Sequence, residues 1–125
     1  MAEVMADPAT ERFGHREHVH VTWLAVRRYG MPTAIDLVSA GLQRTARYAG
    51  APQKYNATVS RAWVELVAFH AAEHDDPTFA ALATREPALL NKRLLTHFYR
   101  PKTLAHPDSK HTWTPPDLAP FPWPR

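Results

Sequence analysis

Three histidines, His15, His18 and His20, fall within six positions in the stretch FGHREHVHVTW, and His70 and His74 stand four apart further along the chain. Imidazole has an unperturbed pKa near ~6.5, so it can give or take a proton at neutral pH, and in its neutral form it ligates metals. The chain has no cysteine, which removes disulfides, thiolate catalysis and Cys-ligated zinc. Two chemistries remain for these residues, acid–base catalysis and a histidine-ligated metal. The expected site brings imidazoles from two helices together in the interior.

Helical periodicity decides where the rings point. Stepping about 100° per residue, His15, His18, Thr22, Ala25, Val26 and Tyr29 share one side of a first helix, with Arg16, Glu17, His20, Arg27 and Arg28 opposite. On a third helix His70 and His74 fall on the side of Val59, Trp63, Leu66 and Val67. The sequence therefore predicts two inward histidine pairs on separate helices, the arrangement from which bundle metal sites are built. The competing reading is a packed core imidazole with one satisfied nitrogen. His20, His97, His106 and His111 are assigned to surface, helix-end or tail positions.

The positioning elements follow from punctuation and apolar spacing. The first helix runs from near Phe13 to Gly30, whose φ freedom suits a helix end, and Pro32 opens a second helix through about Ala49. Asn56 is placed to N-cap the third helix, predicted to be the most buried. "HDDP" breaks it at Pro77; a short helix covers Thr78 to Thr84, and a last one runs from Pro87 to about Tyr99. No strand or hairpin signal occurs. The expected fold is all-α, a small bundle of four to five helices.

Seven of the twelve prolines lie in the last 25 residues, beside Trp113, Phe121 and Trp123, so this tail is expected to be non-helical. Aromatics at that density favour a strap laid on the bundle over a free segment. The expected organisation is a flexible lead over 1–12, a helical bundle over 13–100 and a Pro-rich strap over 101–125.

A chain of 125 residues suffices for one domain with a core, and 45% hydrophobic against 22% charged residues is a globular balance. No apolar run approaches the ~20 residues of a bilayer span, and the N-terminus lacks a secretory h-region, so no membrane association and a cytoplasmic location are expected. The formal charge is only +3, with arginines scattered over the polar helix faces, which argues against nucleic acid as a partner.

The stretches FGHREHVHVTWL, KYNATVSRAWVELV and TWTPPDLAPFP resemble a group of small, mostly uncharacterised bacterial helical proteins. Their pattern reads F-x-H-x-x-H before an apolar residue, K-Y-H-x-T before a β-branched residue, and an end like P-D-x-x-P-L-P. The resemblance implies an all-helical fold with a site at His15, His18, Tyr55 and Thr58. Asn56 stands where the pattern has histidine. That change weakens a three-histidine metal site, whereas a hydrogen-bonding organic site tolerates it, because asparagine both donates and accepts.

These readings predict a small cofactor-free enzyme with an inward pocket between the first and third helices, closed by the strap. His15, His18 and His70 would be its proton donors or acceptors, and Glu65 or Glu73 would set the charge of a neighbouring histidine. Thr22, Tyr29, Tyr55, Asn56, Trp63 and His74 would bind the substrate, a small aromatic or amine-bearing metabolite. An imine-forming cyclisation of the Pictet–Spengler type would use such residues. Two alternatives stand beside it: zinc or iron held by His15, His18, His70 and His74, and a non-catalytic module that binds a partner through the strap. A homodimer is compatible with all three.

Overall fold

The computed structural model describes residues 14–121. The expected lead over 1–12, the start at Phe13 and Trp123 lie outside that range. The fold is all-α, and among the described residues there is no strand. The helices are α1 (His15–Tyr29), α2 (Met31–Tyr48), α3 (Ala57–Glu73), α4 (Phe79–Arg85), α5 (Pro101–Ala105) and α6 (Pro107–His111). Among the described residues no helix is long and apolar enough to cross a membrane.

α1 starts at Gly14, whose N–H donates to the Glu17 carboxylate at 2.9 Å, satisfying a backbone donor that the helix start would leave open. It ends at Gly30, which is also the N-cap of α2. The Gly30 N–H bonds to Val26 O and its carbonyl accepts from Ala34 N, so one residue closes one helix and opens the next. Its backbone, at φ 84° and ψ 168°, lies in a region open essentially to glycine alone. α1 and α2 consequently run antiparallel, side by side.

Both pack on α3, which is buried over Thr58, Ser60 and the whole run Ala62 to Val67. Val19 and Trp23 of α1 join Trp63, Leu66 and Val67 in the main core. α2 meets α3 through Ala34, Val38 and Val64, and Ser39 and Ser60 share a hydrogen bond of 3.0 Å. Asn56 caps α3 as expected, its Oδ1 accepting from Val59 N. α4, capped by Thr78, lays Phe79 and Leu82 over the Trp23 end of the core.

Two expectations fail in the C-terminal third. Pro87 to Tyr99 is not one helix but two 3-10 turns, Pro87–Leu90 and Leu94–His97. The Asn91 side chain accepts from Arg93 N between them, a local bond that competes with helix continuation. Nor is the tail wholly non-helical: α5 and α6 each begin with a proline after an extended residue. At the first helical position the missing N–H and fixed φ of proline do no harm. Of the described tail residues, 112–121 are non-helical and run against the bundle. Thr58 Oγ1 donates to Thr112 O and accepts from Thr114 N, the Tyr99 hydroxyl donates to Thr114 O, and Phe121 is buried.

Candidate functional site

The four imidazoles of the expected site do not converge. His15 and His18 are neighbours on α1, their ring centres 6.2 Å apart, and His15 leans edge-on against Trp63 at 4.5 Å. His70 stands seven residues beyond Trp63, about 10 Å along the helix at 1.5 Å per residue, and meets the end of α4 instead. His74 is exposed, in a shallow dent with Trp23, Asp75 and Asp76. The physical reason is direction: α1 and α3 run parallel, so the start of α1 meets the start of α3, and a pair at the far end of α3 cannot reach it.

His70 belongs to a polar clasp. Its Nδ1–H donates to Glu73 at 2.9 Å and lies 3.6 Å from Glu86. Arg85 donates to Glu73, to Asp76 at 2.7 Å and to the His70 carbonyl, fastening α4 to the end of α3. The His70 hydrogen bond holds the Glu73 carboxyl below its usual range, and Arg85 does the same for Asp76. Among the described residues His70, Glu73 and Glu86 are the one group of ligand atoms close enough to share an ion. A guanidinium already neutralises those carboxylates, so the clasp reads as structural. The predicted ligand set of His15, His18, His70 and His74 is not assembled.

Glu65 is also placed elsewhere. It is buried and paired with Arg61 at 2.7 Å, and that guanidinium lies 4.4 Å over the Trp113 ring. This pair supports the strap, and among the described residues no hydrogen bond or ion pair joins Glu65 to a histidine. Thr22 is buried and donates to the His18 carbonyl, Trp63 is core, and Asn56 is spent on its cap and on donating to Leu104 O. Thr58, marked by the motif resemblance, docks the strap.

What remains is the start of α1. His15 donates from Nε2 to Leu89 O at 2.9 Å; burial holds its pKa below the ordinary value, although that bond opposes the shift. His18 differs. Its Nε2 is buried and has no hydrogen-bond partner among the described residues. Burial pushes its pKa down to about 4, with the neighbouring His15 adding to the shift, so the ring is neutral at pH 7. Leaving such a nitrogen unpaired costs roughly 1–3 kcal/mol, and an orphan of this kind calls for an explanation.

His18 is shared by two adjoining cavities. The larger, about 580 Å³, lies between α1 and α2 over Val21, Leu24, Leu37, Val38 and Gly41, with Tyr29 at its turn end. The smaller, about 380 Å³, runs past Ala46, Lys54, Tyr55 and Asn56 to Ser60. Leu42 and Thr45 line both. The two form one groove along α2, a site missed by the expectation of a pocket between the first and third helices; none of the described strap residues is among its walls. Of the predicted residues it gathers His18, Tyr29, Tyr55 and Asn56. Unpredicted are Val21, Leu24, Leu37 and Tyr48, large apolar side chains left exposed. Their one sequence signal is apolar character on helix faces that otherwise read as polar.

No family model, curated protein or solved structure matches this chain. The motif resemblance thus rests on its own residues.

Proposed function

We propose that this protein binds a small, largely apolar molecule in the groove along α2 and works on it through His18 as a cofactor-free acid–base group. The observation that carries this reading is that His18, a residue lining both lobes, holds a buried Nε2 with no hydrogen-bond partner among the described residues. A neutral imidazole there offers either a lone pair or an N–H to a bound hydroxyl, amine or carbonyl, and the apolar walls strengthen that contact by excluding water. The volume lies in the range of ordinary small-molecule sites. Tyr55 in the smaller lobe supplies a hydroxyl that can donate or accept a hydrogen bond. The proton chemistry expected of His15, His18 and His70 together is thereby assigned to His18 alone.

A fragment screen by amide and histidine side-chain NMR tests this. Apolar hydroxyl- or carbonyl-bearing fragments should shift the amides of Val21, Gly41, Leu42 and Thr45 together with the His18 ring nitrogens, and His18→Gln should abolish the ring response. Fragments that gather elsewhere, or that shift the groove amides without touching the His18 ring, would count against it.

A further inference from the structure

Resting on that reading of the groove, we infer that its ligand is an elongated apolar anion, a carboxylate with a hydrocarbon body, whose head lies at the His18 and Arg44 end. The charge of the walls points to the sign. Arg28 and Arg44 line the larger lobe and Lys54 the smaller, and among the described residues no acidic side chain lines either. Between these cations the walls are apolar, with Val21 45%, Leu24 49% and Leu37 47% exposed across from one another on α1 and α2. Single exposed leucines are ordinary, but apolar side chains facing each other across two helices form a patch that binding explains.

Antiparallel packing orders the charges. His18 shares its cavities with Leu42 and Thr45, so Arg44 stands at the same end, whereas Arg28 is near the Gly30 turn. Ten residues of α1 separate Arg28 from His18, roughly 15 Å at 1.5 Å per residue. An extended chain fits that span better than a compact ring. Arg44 presents the planar fork that pairs with a carboxylate, and His18 lines the same cavity.

Gly41 supplies an independent observation. A glycine inside a helix costs about 1 kcal/mol relative to alanine. A Cβ built there would meet nothing nearer than the Arg44 guanidinium at 4.0 Å, so no packing within the chain requires the glycine. It lies on the groove wall, and its bare backbone admits a close approach from outside.

The experiment is a calorimetric and NMR titration of the full chain with decanoate, decan-1-ol and decyltrimethylammonium below their aggregation concentrations, in parallel with sedimentation. Decanoate should bind at least tenfold more tightly than decanol, and the cation should not bind. Arg44→Gln should erase the preference for decanoate over decanol, and Gly41→Leu should block both. Equal binding of decanoate and decanol would overturn this inference while leaving the groove reading intact. So would neutral fragments that occupy the groove when decanoate does not, or a dimer, seen on dilution, that covers Val21, Leu24 and Leu37. If no probe or fragment perturbs the groove, both readings fall.

Discussion

Protonating His18 should unfold this protein in proportion to how far its pKa is displaced. The folded value is about 4 and the unfolded value near 6.5, so between them the unfolded chain binds a proton that the folded chain refuses. Stability from this group is complete above pH 6.5 and falls as the pH drops towards 4. At ~1.4 kcal/mol per tenfold change in proton activity, about 2.5 kcal/mol is lost by pH 4.5 and about 3 kcal/mol by pH 4. With a urea m-value of about 1–3 kcal/mol/M, that is a fall of about 1–3 M in midpoint. His15, also displaced downward, and the depressed carboxyls of Asp76 and Asp117 act in the same direction, so the raw profile belongs to no single group. The difference between wild type and His18→Gln isolates the effect. Urea midpoints of both chains at pH 7 and pH 4.5, with the His18 Hε1 resonance followed through the same range, should show the variant losing about 2.5 kcal/mol less than wild type. Parallel losses in the two chains, or a His18 resonance titrating near 6.5, would refute the placement of this ring in a dry, unpaired setting.

Three other expectations are direct. Gly30→Ala should cost roughly 1–3 kcal/mol in thermal or urea unfolding, from backbone strain alone, since nothing lies within 4 Å of the new methyl; a neutral result would mean the helix joint is not as described. Thr58→Val, which leaves the Thr114 N–H unpaired, should cost about 1–3 kcal/mol and expose Trp113 to a fluorescence quencher. Thr58→Ser should restore both readouts. Zinc at micromolar concentration should leave the His70 ring shifts and the melting temperature unchanged while Arg85 is in place. A zinc-dependent rise in melting temperature that is lost in His70→Asn would make the clasp a metal site after all.

The helices of the first 85 residues were legible because their boundaries are made by local chemistry. Gly30, Pro32, Asn56 and Thr78 each act within a turn of their own position, and α3 advertises its burial through Val59, Trp63, Leu66 and Val67. The later segments were misread because proline was counted as a breaker at Pro101 and Pro107, where it starts a helix, and because the Asn91 side-chain bond leaves no periodic trace. The inward sense of His15 and His18 was readable from their face of α1. Which histidines meet was not, since periodicity gives the angle around a helix and says nothing about its axial level against a neighbour. His70 has the right face and the wrong level.

The groove eluded the sequence for a related reason, and that reason bears on what it does. α2 spans Met31–Tyr48 yet buries only Ala34 and Val38, a narrower seam than a helix of this length needs for its own packing. Leu37 and Tyr48, with Val21 and Leu24 opposite, stand beside that seam and bring the chain little stability where they are. A ligand that buries them gains the transfer energy that folding leaves unused, about 25 cal/mol per Å² of apolar surface, and it can satisfy a nitrogen whose desolvation is already complete. The same linkage makes occupancy visible without any assay of turnover. At a ligand concentration 100 times Kd the folded state gains about 2.7 kcal/mol, which should raise the wild-type melting temperature and leave Gly41→Leu where it was.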